Sequence, residues 1–193
     1  MNKITIINGH PDYDNFNQAI TNTYKAQALA EKCEVKLIAI RELDFNPNLK
    51  NGYRKRMELE PDLLQAIHDI KWCDHLVIIH PIWWLSMPAI LKGFFDRAFL
   101  PSITFKHTSA TTSEGLLQGK SARIINTAGD LSFSVYETVY KSSGIVQLEK
   151  GILEYCGIAP ISKSFIGPLN TMTAVDRLNL LNTIPQLVQQ DIQ

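Results

Sequence analysis

Apolar positions along this chain follow two alternating periods. Short β-branched runs at 3–8 (KITIIN), 34–40, 75–80, 122–127 and, more weakly, 161–166 read as strands. Between them the spacing lengthens to that of a helix. Residues 18–32 form one, with Asn17 as candidate N-cap, and residues 61–72 another, with Leu63, Leu64, Ile67 and Ile70 on one face. Further helices fall at 88–99, at 145–156 (ended by Gly157) and at 174–190, where Pro185 should kink or divide the helix. Strand and helix in alternation predict a single α/β domain over residues 1–193. It is a doubly wound five-stranded parallel sheet, order 2-1-3-4-5, with helices on both faces. Connections 41–60, 100–120 and 128–144 exceed the usual few residues, and long loops in a compact domain are commonly functional.

The third strand ends at His80-Pro81 and is followed by Ile82-Trp83-Trp84-Leu85-Ser86-Met87-Pro88. Pro88 suits the first turn of the next helix, where a missing N–H costs nothing. The tryptophans therefore stand at the carboxyl edge of the sheet, where open α/β sheets bind ligands. Two adjacent indoles after a strand-ending proline cannot both enter one core, so at least one is expected to wall a flat ring; core or dimer-interface aromatics are the alternative. The next helix carries Ile90, Leu91, Phe94, Phe95, Ala98 and Phe99, an apolar face wider than one sheet contact needs. It reads either as a deeply buried helix or as one shared with a second subunit, with Phe105 and His107 placed to cross that interface. The first loop, Gly9 to Ala19, lacks GxGxxG and GxxxxGK[ST] but leads into a helix N-terminus. It is a phosphate cradle or a plain polar turn. Thr127-Ala128-Gly129-Asp130 is a small-residue turn that either admits a ligand against the backbone or is simply a turn.

Composition narrows the choice. Lys plus Arg equals Asp plus Glu at 19 each, which leaves no electrostatic footprint for nucleic acid or an anionic membrane. Three scattered cysteines give neither a disulfide framework nor a zinc site. The sequence shows no signal peptide and no bilayer-length apolar run, so a cytoplasmic location is expected. His10 and His80 end strands on the same edge and could approach each other, whereas His75 and His80 fall on opposite faces; no third ligand suggests a metal.

On these residues the chain resembles the NAD(P)H:quinone oxidoreductase group of flavodoxin-like flavoproteins. The resemblance rests on PIWWLSMPAILKGFFDRAF, and is supported by His10, Phe16-Asn17-x-Ala19, Phe45-Asn46-Pro47 and the turn at Thr127 to Gly129. It implies a homodimer with a flavin, FMN or alternatively FAD, and NAD(P)H as co-substrate for a quinone-like acceptor. By position, His10, Asn15, Phe16, Asn17 and Ala19 would hold the phosphate side. Pro81, Ile82, Trp83, Trp84 and Leu85 would line the ring, with Thr127, Ala128 and Gly129 at its polar edge. Trp84, Phe105 and His107 would form the substrate pocket. Better-known members have Thr-Gly-Gly where this chain has Thr127-Ala128-Gly129, and a Tyr and a His in the next loop to handle protons. Here that loop offers Tyr136 and Tyr140, which with His107 are the candidate catalytic residues. The resemblance implies ping-pong hydride transfer. A flavin-binding electron carrier or regulatory subunit, or a binding module that has lost the flavin, are the alternatives.

Overall fold

The computed structural model describes residues 2–193. Five parallel strands form the sheet: β1 (Lys3–Asn8), β2 (Glu34–Ala39), β3 (His75–Pro81), β6 (Ser121–Thr127) and β7 (Ile161–Ile166). Their order is β2-β1-β3-β6-β7, the expected 2-1-3-4-5 in counting the sheet strands alone. All seven residues of β3 are buried, as a central strand covered on both faces requires. Alternation splits that strand between two cores. Leu76 and Ile78 pack with α2 (Pro61–Trp72) and α3 (Ala89–Ala98), and Val77 and Ile79 with α1 (Phe16–Ala30) and α7 (Ile184–Asp191). Register aligns Pro81 with Thr127 and Asn8 with Ile79, which gathers the carboxyl ends of β1, β3 and β6 at one edge.

At the opposite edge the last helix is locked down. Arg123 Nε and Nη2 donate to the two Asp191 carboxylate oxygens at 2.6 and 2.7 Å, and Tyr24 donates to the same carboxylate at 2.7 Å. His75 Nε2 stands 3.5 Å from it, and Asn2 Nδ2 donates to Ile192 O.

Several expectations change. The cap of α1 is Asn15, whose side chain accepts from Gln18 N–H; Asn17 is inside the helix and buried. The helix expected at 145–156 begins as α5 (Ser143–Val146) and continues as a π-helix, Gln147–Glu154, a widening that apolar spacing does not encode. Pro185 does divide the last helix, into α6 (Ala174–Leu181) and α7, and sits in the first turn of the latter. The 100–120 connection holds a hairpin of β4 (Phe105–His107) and β5 (Ser113–Gly115), and the 128–144 connection holds α4 (Phe133–Thr138). The wide apolar face of α3 is covered by its own chain: Leu91, Phe94, Phe95, Ala98 and Phe99 are all buried. The 43–60 loop supplies much of that cover, because buried Arg97 bonds Asn46 O, Glu58 O and Glu60. This helix therefore gives no argument for a second subunit.

Candidate active site

The double tryptophan forms a two-residue turn beyond β3. Trp83 and Ser86 exchange backbone hydrogen bonds of 2.8 and 3.0 Å, and Ile82 N–H donates to Thr127 O at 2.7 Å. The two central residues, Trp84 and Leu85, have φ of +49° and +65°. This is the left-handed conformation of a type I′ turn, which usually takes Asn-Gly. For ordinary L residues it costs about 1–2 kcal/mol each, so something must hold it. Tyr136 does so from below. Its hydroxyl donates to Leu85 O at 3.1 Å and accepts from the N–H groups of Gly144 and Ile145 at 2.9 and 3.2 Å. Ser86 Oγ donates to Gln147 Oε1 at 2.7 Å. Gly144 is needed at this contact, since a Cβ there would lie 2.3 Å from Leu85 O.

The turn faces a pocket of about 350 Å³ lined by Ile82, Trp84, Leu85, Ala128, Gly129, Asp130, Leu131 and Tyr140. Trp84 is wholly exposed. The backbone N–H groups of Trp84, Leu85, Gly129, Asp130 and Leu131 have no hydrogen-bond partner among the described residues. An exposed flat indole beside several unspent amides suits a planar ligand with carbonyl and ring-nitrogen acceptors. Asp130 ends the turn singled out in the sequence and Leu131 lies just beyond it; only the path of the backbone brings Leu131 in.

The first loop adjoins this pocket through an aromatic contact, the His10 ring standing edge-on to Trp83 at 5.6 Å. His10 Nδ1 accepts from Asp12 N–H, so the neutral ring keeps its proton on Nε2, and burial lowers its pKa. The N–H groups of Phe16 and Asn17 head α1 with no partner among the described residues, while Asn15 takes up Gln18. Such a helix start binds anions. Ala19 N–H donates only weakly, at 3.4 Å to Asn15 O. Asn17 and Thr127 hydrogen-bond each other at 3.0 Å and are buried, so their side chains join the loop to the pocket rather than opening to a ligand.

His80 and His10 do not pair. His80 Nδ1 is 2.9 Å from Pro81 O and Nε2 is 2.9 Å from Asn126 Nδ2, an arrangement that fixes the proton on Nδ1. Burial pushes its pKa down to about 4, so the ring is neutral. Tyr136, expected to handle protons, is fully buried with its hydroxyl committed to three backbone groups; Tyr140, 41% exposed, is the tyrosine at the pocket. Phe105 and His107 do not join Trp84 within the chain. They line a separate cavity of about 580 Å³ with Phe95, Phe99 and Tyr155. Among the described residues no cluster of metal ligands occurs, and no helix is long and apolar enough to cross a membrane.

The chain as a whole is similar to known proteins. The chain is 28% identical over 193 residues to a Haemophilus influenzae protein named an uncharacterized NAD(P)H oxidoreductase, covering 95% of this chain and 93% of that one. It is 25% identical over 179 residues to the ribosyldihydronicotinamide dehydrogenase (quinone) of Homo sapiens, covering 80% and 77%. The solved structure of Smu.1420 from Streptococcus mutans superimposes with a TM-score of 0.84 at 32% identity, covering 97% of this chain and 99% of that one. A flavodoxin-like fold profile matches residues 2–180, and the chain belongs to that flavodoxin-like family.

Proposed function

We propose that this protein is a flavin-dependent NAD(P)H oxidoreductase that passes a hydride to a quinone or similar flat acceptor. The observation that carries this is the strained Trp84-Leu85 turn, which sets an exposed indole and unspent amides around one pocket beside the α1 N-terminus. The relatives named NAD(P)H oxidoreductase and ribosyldihydronicotinamide dehydrogenase (quinone) support it. The donor set fits a flavin. The amides of Phe16 and Asn17 would hold its phosphate, and those of Trp84, Leu85 and Gly129 the carbonyl edge of its ring, with Ile82 and Trp83 as the wall; Pro81, buried at the end of β3, supports the wall from behind. When bound, the flavin supplies reversible two-electron hydride chemistry. The protein's part is to orient and to manage protons. Trp84 stacks NAD(P)H and then the acceptor in the same place, which makes the order ping-pong. Tyr140 Oη holds the proton that accompanies reduction of the acceptor. Tyr136, Gly144 and Gln147 keep the turn in its strained form.

The working unit is a homodimer. Phe133 and Val135 on α4 and Val139 just after it remain exposed in the single chain, as does Trp84, and exposed apolar side chains of that kind call for cover. A second copy provides it, and its hairpin brings Phe105 and His107 to the pocket. The test of the flavin reading is the visible spectrum. The purified protein should be yellow, or become so with FMN, and NAD(P)H should bleach it under anaerobic conditions. A protein left colourless by both FMN and FAD would refute the assignment.

A further inference from the structure

One buried cation is not used by the features above. Arg41 follows β2 at the edge that carries the site, and its side chain is only 7% exposed. Nη2 donates to Gln18 Oε1 at 2.8 Å and lies 3.2 Å from Glu42 Oε1. Nε and Nη1 are buried with no hydrogen-bond partner. The guanidinium lies against the Tyr13 ring, 4.6 Å from its centroid. Gln18 belongs to the first turn of α1 and Tyr13 to the first loop, so the side chains that hold the guanidinium come from the same segment as the unspent amides of Phe16 and Asn17. A buried guanidinium with idle donors is costly unless an anion answers it. Glu42 is a poor answer: its side chain is 56% exposed and meets only the nitrogen already bonded to Gln18. The loop's own acids, Asp12 and Asp14, are exposed, and both oppose an incoming phosphate.

We infer that Arg41 is the counter-charge for a phosphate monoester held at the N-terminus of α1, and that it makes the site prefer FMN to riboflavin and to FAD. The inference rests on the flavin reading above. A monoester concentrates about −1.5 to −2 charges on one group at neutral pH. The diester phosphates of FAD spread theirs, one on each phosphorus. A single guanidinium beside one helix start matches the concentrated form. Tyr13 is the movable cover: it is 62% exposed, and its hydroxyl has no partner among the described residues.

The experiment titrates apo-protein with riboflavin, FMN and FAD by flavin fluorescence and follows the ratio of the riboflavin Kd to the FMN Kd. That ratio is insensitive to general damage of the ring site. Arg41→Met and Arg41→Gln should each lower it about tenfold or more, as loss of a charge-assisted contact implies. Arg41→Lys should keep it near the wild-type value. A ratio unchanged in the neutral variants, or lowered as much by lysine, overturns the inference while the flavin reading stands. So does wild-type protein that holds FAD more tightly than FMN. Failure of both neutral variants to fold beside a folded lysine variant makes the charge structural and also overturns it. Wild-type protein that binds none of the three ligands overturns both.

Discussion

His80 shows how one buried side chain ties pH to stability. Its ring is 1% exposed, and burial is the chief cause that brings its pKa from 6.5 to about 4 in the folded chain. The folded state therefore binds fewer protons than the unfolded chain between those values. Its contribution is complete above pH 6.5 and is lost as the pH falls toward 4, to a limit of about 3 kcal/mol. The expected outcome is a melting temperature that declines across this window in wild type and declines less in His80→Asn. Parallel slopes would show that another group titrates. The sequence placed this histidine at a strand end but could not assign its partners, because Asn126 arrives from a neighbouring strand. The same holds for Tyr136. Its position in the chain suggested proton chemistry, and only packing shows that its hydroxyl is spent on the backbone. Arg41 carried no sequence signal beyond a positive charge after the second strand.

The turn at Trp83 to Ser86 and its support behave as one unit. Gly144→Ala would press a methyl group onto Leu85 O and Ser86 Cα, 2.3 and 2.7 Å away. It should cost about 1–3 kcal/mol and slow NAD(P)H-driven flavin reduction. Tyr136→Phe leaves two buried N–H groups and a carbonyl without their partner, a loss of about 1–3 kcal/mol. If Tyr136 positions the turn, this variant lowers the melting temperature and the reduction rate together. A lower rate with a shifted pH profile at unchanged melting temperature would return Tyr136 to a catalytic role. The sheet strands were legible because buried parallel strands are continuous β-branched runs, and α1, α2 and α3 because their apolar spacing is regular. The turn's conformation was not, because non-glycine residues rarely take positive φ and only tertiary contacts hold them there. The hairpin escaped for a related reason. Phe105 to His107 and Ser113 to Gly115 are three residues each, too short to set a period.

For the whole molecule, the proposed dimer would complete the pocket. One chain keeps Trp84 open on one side and Phe105 with His107 in another cavity. Light scattering over a dilution series should show a dimer, and His107→Ala should reduce turnover while leaving the melting temperature near wild type. A stable monomer with full activity would refute the shared pocket. The resemblance placed the Trp84 wall and the Thr127 to Gly129 turn at two strand ends, and Trp84, Ala128 and Gly129 do line one pocket there. It could not separate residues that meet within a chain from those that would meet only between chains.

The Arg123–Asp191 lock closes the edge of the sheet away from the pocket, where Tyr24 joins it. Much of what fastens the last helix is thus invested far from the chemistry. The loops after β1, β3 and β6 can change side chains without loosening that clasp. Such a scaffold is evolvable: new acceptors can be explored at one end while the other preserves the architecture.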